Sequence, residues 1–516
     1  MNRLIFAVSI VLMISCKDKH VDSSSGAEEP HSVSTYYQEP FRPQFHFSPP
    51  NKWMNDPNGL VFHHGIYHLF YQYYPEDIVW GPMHWGHAVS QDLIHWEHKP
   101  IALYPDEHGL IFSGSAVVDL QNTSGFGTIE NPPLVAIFTY HNMDGEKQGR
   151  NDFQTQGIAF SLDDGDTWTK YGGNPVIQNK GLKDFRDPKV FWYAAQSKWI
   201  LTLVAGDHAK FFESTNLKDW KLMSEFGKNQ GAHGGVWECP DLFPLFVEGT
   251  DETKWVLLIS MNPGAPNGGS GTQYFIGDFN GITFTSEQDQ AKWLDYGMDD
   301  YAGVTYNNLP LKNRTFIGWM SNWNYARNTP TEAWRSSMTL PRNLSLITQN
   351  GDYFLRNYPV KTLEGLTSKI EIASEIVLRE TFTLQRDDFM QTDFSFNADL
   401  SKPLKVVYGN TSGHISLEVR PDTGTLVFDR SQSGIVDFEE SFGKHPQNQP
   451  YIPSGEEVEV RIILDRSSVE IFIDGGRYVF TNQVFPIQPY TTLSITGTGQ
   501  TLAHVQLNAI KSIWNE

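Results

Sequence analysis

The chain is 516 residues long, too long for one ordinary core, so two domains are the starting expectation. Its 60 Asp and Glu against 39 Lys and Arg give a net charge of −21, and a surface of that sign repels phosphate backbones and anionic lipid, which argues against nucleic acid and polyanions as partners. Hydrophobic residues at 39% suffice for sizeable cores, and 15 Trp, 21 Tyr and 33 Phe exceed what cores alone require.

The N-terminus has the proportions of an export signal. Arg3 precedes an apolar run, Leu4 to Ile14, which is too short to span a bilayer; it ends at Ser15-Cys16 and gives way to the polar stretch KDKHVDSSSGAEEPHS. A small residue before Cys at the end of such a run is the pattern of a bacterial lipobox, although Met13 and Ile14 depart from its usual residues. The pattern predicts a signal peptide over 1–15, lipidation of Cys16 and a polar tether over 16–39, with ordinary secretion as the alternative. Membrane association would then run only through that lipid. The other cysteine, Cys239, is left as a free thiol, so no disulfide is expected.

From about residue 40, short apolar runs alternate with Gly, Asn, Asp and Pro turns, and helical periodicity is nearly absent, which predicts an all-β protein. In WMNDPNG (53–59), Pro57 restricts Asp56 to extended conformations and Gly59 permits positive φ, so the segment reads as a turn. The runs PLVAIFTY (133–140), KWILTLVAG (198–206) and KWVLLIS (254–260) read as strands. A weak repeat joins them: SQDLIHW from Ser90, SLDDGDTW from Ser161, STNLKDW from Ser214, and a degenerate DFNGITF from Asp278. Each is a strand, a polar turn and an aromatic opening the next strand. The spacing suits four-stranded propeller blades, and the region 40–348 has room for five.

Beyond about residue 350 the pattern changes. A connector is expected over 349–365, and from 366 to 516 regular strands follow one another with little Trp, which predicts a C-terminal β-sandwich. Asp474-Gly475-Gly476 reads as a hairpin turn between VEIFI and RYVF.

Two further acid motifs echo WMNDPNG. DFRDPKV (184–190) holds Arg186-Asp187-Pro188, and GGVWECPDLF (234–243) holds Glu238-Cys239-Pro240. Each sets a carboxylate beside Pro and apolar residues, company that a solvated face does not need. Buried carboxylates are costly unless hydrogen-bonded or shifted in pKa, and in a propeller the inner strands of distant blades converge on one channel. Taken singly each motif is a structural turn; together they point to a site. The aromatic surplus would then suit stacking on sugar rings.

In order along the chain, WMNDPNG, WGPMHWGHAVSQDLIHWE, FSGSAV, FRDPKV, WECPDLF and GWMSNWNYA resemble glycoside hydrolase family 32, in particular its levanases and other fructan β-fructosidases. The resemblance runs from about residue 40 to the DRSSVEIF segment, and it implies a five-bladed propeller followed by a β-sandwich. It also implies a retaining hydrolase in which Asp56 is the nucleophile, Glu238 the general acid/base and Asp187 a transition-state stabiliser. Arg186 would keep Asp187 ionised, bind a hydroxyl, or form a structural ion pair. Asn55, Gln72, Trp80, Phe112, Ser113 and Trp323 stand at the family's sugar-binding positions, with Trp53 and Trp323 walling the pocket. Tyr74-Pro75 replaces the family's frequent Asn-Pro, so Tyr74 is expected to reshape the rim.

The substrates so implied are levan, inulin or sucrose. Levan-type β-2,6 cleavage from the chain end is favoured, because WMNDPNG is closer to exo-acting members than the WMNEPNG of endo-inulinases. An endo-levanase, a sucrose or inulin hydrolase, and an inactive fructan-binding lipoprotein are the alternatives. No cofactor is implied. His63, His64, His84, His87, His95 and His98 do not match zinc-ligand spacing and are read as core or surface residues, so no metal is expected.

Overall fold

The computed structural model describes residues 37–310, 313–452 and 457–514. The apolar run, Cys16 and nearly all of the expected tether lie outside the described residues, among which no helix is long and apolar enough to cross a membrane.

Five antiparallel sheets follow one another over residues 52–359, each a four-stranded meander running out from one inner strand. The inner strands are Lys52–His63, Leu110–Val118, Phe185–Tyr193, Val236–Phe246 and Tyr301–Thr305. Each packs on the next, and the fifth returns to the first, so the sheets close into a ring of five blades. Backbone bonds seal the join: Trp334 and Arg335 pair in parallel with Lys52 and Trp53, and Asn307 N–H donates to Leu60 O at 2.9 Å.

The sequence signals have physical counterparts. The three apolar runs are the second strands of blades two, three and four; Leu134–His141 is buried at every position because neighbouring blades cover both of its faces. SQDLIHW, SLDDGDTW and STNLKDW are the turns between third and fourth strands of blades one to three, and DFNGITF occupies the same place in blade four. In the first three, a Ser hydroxyl accepts a backbone N–H within the turn: Leu93 to Ser90 at 2.8 Å, Gly165 to Ser161 at 2.9 Å and Asn216 to Ser214 at 3.1 Å. The repeat is thus a Ser-anchored turn in blades one to three, with a degenerate counterpart in blade four.

The segment expected as a connector is folded. Asp352–Pro359 is the outer strand of blade five, paired along its length with Arg342–Gln349, and Lys361–Leu366 is a short 3-10 turn. The alternating pattern of YFLRNYP satisfied a half-covered outer strand as well as a linker.

The C-terminal region is a sandwich of a seven-stranded and a six-stranded sheet around one core that includes Phe394, Phe396, Leu417, Ile462, Ile471 and Phe480. Asp474-Gly475-Gly476 is the expected turn, with φ of 54°, 62° and 82°, and a Cβ on Gly476 would lie 2.1 Å from Asn357 O. DRSSVEIF fastens the sandwich to the propeller. Asp465 accepts the N–H groups of Gln44 and Phe45 and faces His46 Nδ1 at 2.8 Å, while Glu470 accepts Leu340 N–H at 3.0 Å and pairs with Arg342 at 3.2 Å. Arg342, fully buried, also meets Asp295 and Asp300.

Candidate active site

All five inner strands slip register at the same end of the ring. The slips enclose Asn55-Asp56 in blade one, Phe112-Ser113 in blade two, Asp187-Pro188 in blade three, Cys239-Pro240 in blade four and Ala302-Gly303 in blade five. Bulges of this kind re-aim side chains and leave backbone groups unpaired. Pro57, Pro188 and Pro240 therefore sit where a missing N–H costs no ladder bond. Asp187, Cys239 and Ala302 take left-handed φ of 62°, 45° and 54°. WMNDPNG is accordingly a bulged strand rather than a turn; its turn-forming residues serve the bulge.

The bulges open onto a cavity of about 460 Å³ lined by Asp56, Asp187 and Glu238. Asp56 accepts hydrogen bonds from Ser113 Oγ at 2.6 Å and Asn55 Nδ2 at 2.9 Å. Asp187 accepts Cys239 N–H at 3.0 Å, and its own N–H donates to Thr139 Oγ1 at 2.9 Å. Glu238 is held from two sides, by Arg186 Nη2 at 2.8 Å on Oε1 and by the Tyr301 hydroxyl on Oε2. Arg186 further bonds Asp184 at 2.7 Å and lies 3.8 Å from Asp187. The Cys239 thiol stands between two acids, 3.6 Å from Asp56 Oδ2 and 3.7 Å from Asp187 Oδ2.

Burial away from water, with excess negative charge around a single guanidinium, makes Asp56 and Asp187 resist ionising. Burial, then the charge of Glu238, raises Asp56 above the ordinary range, against the hydrogen bonds from Ser113, Asn55 and Cys239. Burial pushes Asp187 up to about 7; Arg186 opposes this, while Glu238 and Asp56 add to it. Burial and the surrounding acids likewise keep Cys239 a neutral thiol.

The walls are aromatic and amide. Asn55, Gln72, Trp80, Phe112, Ser113, Arg186 and Trp323 all line the cavity. Gln72 is 2% exposed, and its Nε2 has no hydrogen-bond partner among the described residues, so it is a donor ready for a ligand oxygen. Trp53 is different. It is fully buried behind the wall, where its indole N–H donates to Asn55 Oδ1 at 2.7 Å and its ring stacks 6.0 Å from Trp323, so it orients two lining residues rather than lining. Tyr74 also lies outside the lining, its ring covering Gly81.

Sequence reasoning missed part of the wall. His141 stacks on Phe112 at 4.1 Å and is held by Glu146 at 3.0 Å and Gln154 at 3.1 Å; Phe153, Asp184, Asn262 and Arg327 complete the rim. Asp184 and Arg327 could have been found, since the first opens DFRDPKV and the second directly follows GWMSNWNYA. Glu146 sits on the short helix Met143–Lys147, which nothing in the strand pattern announced.

Of the six histidines considered, His87 meets His68 at 3.1 Å in the core and His95 pairs with Asp92 at 2.7 Å. His63 and His64 both reach Asp164 at 3.1 Å, giving three ligand atoms within 4.8 Å of one another, remote along the inner strand from Asp56. That is one donor short of a closed tetrahedral set.

A family model described as the glycosyl hydrolases family 32 N-terminal domain matches residues 46–359, and the corresponding C-terminal model matches 360–511. A levanase of Bacillus subtilis is 46% identical over 93% of this chain and 72% of its own length. An extracellular exo-inulinase of Aspergillus niger is 41% identical over 93% of this chain and 96% of its own. Among solved structures, the exo-inulinase of Aspergillus awamori superposes with a TM-score of 0.85 at 38% identity, over 93% of this chain and all of that one.

Proposed function

Because the chain belongs to glycosyl hydrolase family 32 and is a glycosidase acting on fructosyl linkages, we propose that Asp56, Glu238 and Asp187 divide a retaining hydrolysis between them. Asp56 attacks the anomeric carbon of a fructofuranosyl unit, forming an ester as the bond to the departing oxygen breaks. Glu238 gives its proton to that oxygen, then takes one from the water that hydrolyses the ester. Asp187 accepts hydroxyls of the ring, with bonds that strengthen as positive charge develops. One observation carries the assignment: three carboxylates from blades one, three and four face a single cavity, each held in a different way. The acid bound by both a cation and a phenol is suited to proton transfer, and the one held only by neutral donors is free to attack.

The substrate we favour is levan, cleaved at β-2,6 linkages from the chain end, with Trp80 and Phe112 closing around one terminal unit. Similarity to a levanase supports the linkage, and similarity to exo-inulinases supports the end-on mode while keeping inulin as the second reading. Early time points on levan, inulin and sucrose test both. Fructose released fastest from levan is the expected result. A ladder of oligosaccharides overturns exo action, faster inulin cleavage overturns the linkage, and no release from any of them reduces the protein to a binder.

Export is supported by the extracellular relatives. We further propose that Cys16 carries a lipid; incorporation of labelled palmitate by the intact chain but not by Cys16→Ser tests it.

A further inference from the structure

A second cavity, of about 420 Å³, opens where the same inner strands end. The active-site residues come early in those strands and its lining comes late: Asp187 and Phe191 are four residues apart on one strand, roughly 13 Å of extended chain. The channel between is shut. The buried Lys189 donates its ammonium to Thr305 O and pairs with Asp241 Oδ2 at 3.3 Å, and the void left beside Pro57, Pro188 and Pro240 is about 10 Å³. No sugar passes from one cavity to the other.

The floor of the second cavity holds two charged groups with unmet hydrogen-bonding capacity. Asp241 is 1% exposed; its Oδ2 accepts the N–H and hydroxyl of Thr305 at 2.7 and 2.8 Å, but Oδ1 has no partner among the described residues. Arg314 lies with its guanidinium 4.9 Å from the Phe243 ring, and its Nε is likewise without a partner among them. The walls carry Trp192, Tyr193 and Trp255, all partly exposed.

We propose that this cavity is a second saccharide-binding site, non-catalytic, walled by Trp192, Tyr193 and Trp255 and floored by Asp241 and Arg314. The chemistry selects the class of ligand. An apolar occupant would leave both polar atoms desolvated and unpaired, which is unfavourable. An anion would accept from Arg314 but has no donor for Asp241 Oδ1, which would stay unpaired. A neutral polyol satisfies both, because one hydroxyl donates to Asp241 Oδ1 while its oxygen, or a neighbour's, accepts from Arg314 Nε. The C–H faces of its rings then lie on the aromatic walls. A segment of polymeric substrate and free released sugar share this chemistry.

The choice of a fructosyl probe rests on the function proposed above, and the test separates the two. Isothermal titration of the Asp56→Asn protein, which holds sugar without turning it over, is run with short fructo-oligosaccharides and with fructose. Two sites are expected. Ala194→Trp, on an exposed 3-10 turn at the mouth, and Arg314→Met should each remove one of them. In the enzyme with Asp56 intact, Ala194→Trp should leave the cleavage of short substrates unchanged. Binding of oligosaccharide but not fructose identifies a chain segment; equal binding identifies the free sugar. A single site insensitive to Ala194→Trp, or a second site that survives both substitutions, overturns the proposal. A single site that Ala194→Trp abolishes leaves it standing and refutes the active-site reading instead.

Discussion

Arg186 Nη2 donates to Glu238 Oε1 at 2.8 Å, a bond between the inner strands of neighbouring blades. Burial works against the charge on Arg186, but Glu238, Asp187 and Asp184 hold it firmly protonated. Arg186→Gln should lower kcat/KM by about 10- to 100-fold, the worth of a hydrogen bond to a charged group. It should also move the acid limb of the pH profile upward, because the carboxylates lose their cation. Arg186→Lys should restore the position of that limb but only part of the rate, having charge without the fork. An unmoved limb in both variants would reduce Arg186 to a structural tie.

Asp56→Asn should abolish turnover while the fold survives. Asparagine keeps an oxygen to accept from Asn55, its amide N–H can donate to the Ser113 hydroxyl, and it fits the same bulge, but it cannot form the ester. Removing a charge that the site resists burying should leave the melting temperature at neutral pH unchanged or higher. Near-normal release of fructose by a folded Asp56→Asn protein would refute the nucleophile.

Glu238→Gln should cost about 10²- to 10⁴-fold on fructan, the usual contribution of general acid/base catalysis. A fructosyl fluoride needs no proton to depart, so its first step should be spared, with a burst before slow release. Equal losses on fluoride and fructan in single-turnover kinetics would show that Glu238 is not the acid.

Asp187 gives the clearest dependence of stability on pH. Its carboxyl titrates at about 7 in the folded chain and near the ordinary ~3.9 when unfolded. Between these values the folded state binds more protons, so this group makes stability fall as pH rises from about 4 to 7. The cost is at most about 4 kcal/mol, shared with the acids it titrates with. Asp187→Asn should therefore raise the melting temperature above that of the parent at pH 8 and converge with it near pH 4. Parallel curves across that range would remove the claim.

How much of this was legible follows from what each residue answers to. Asp56 and Asp187 each precede a proline and Glu238 stands two residues before Pro240, all in apolar company, which marked them together as candidates; their separate roles came only from the family resemblance. Trp53 was misread because composition marks it as aromatic but cannot say which side of a strand register it occupies, and the slip after Met54 decides that. His141 and Glu146 carry no local signature; their place depends on Phe112 and on a one-turn helix from another loop. Four blades left a turn signal and the fifth followed from the room remaining before residue 348, whereas the boundary at residue 359 could not be read, since an outer strand and a connector share one pattern.

The parallel pairing of Trp334 and Arg335 with Lys52 and Trp53 has a consequence in time. A ribosome makes Asp56 early, yet the second edge of the strand that carries it stays without its parallel partner until the chain is about 280 residues longer. Asp187 and Glu238 are both made in that interval, and Tyr301 and Trp323 only near its close. A nascent chain ending before residue 334 thus holds every proposed catalytic acid but lacks the parallel pairing that covers the free edge of the first blade. The seal on the strand that carries Asp56 is a late property of this polypeptide, added when residues 334 and 335 reach residues 52 and 53.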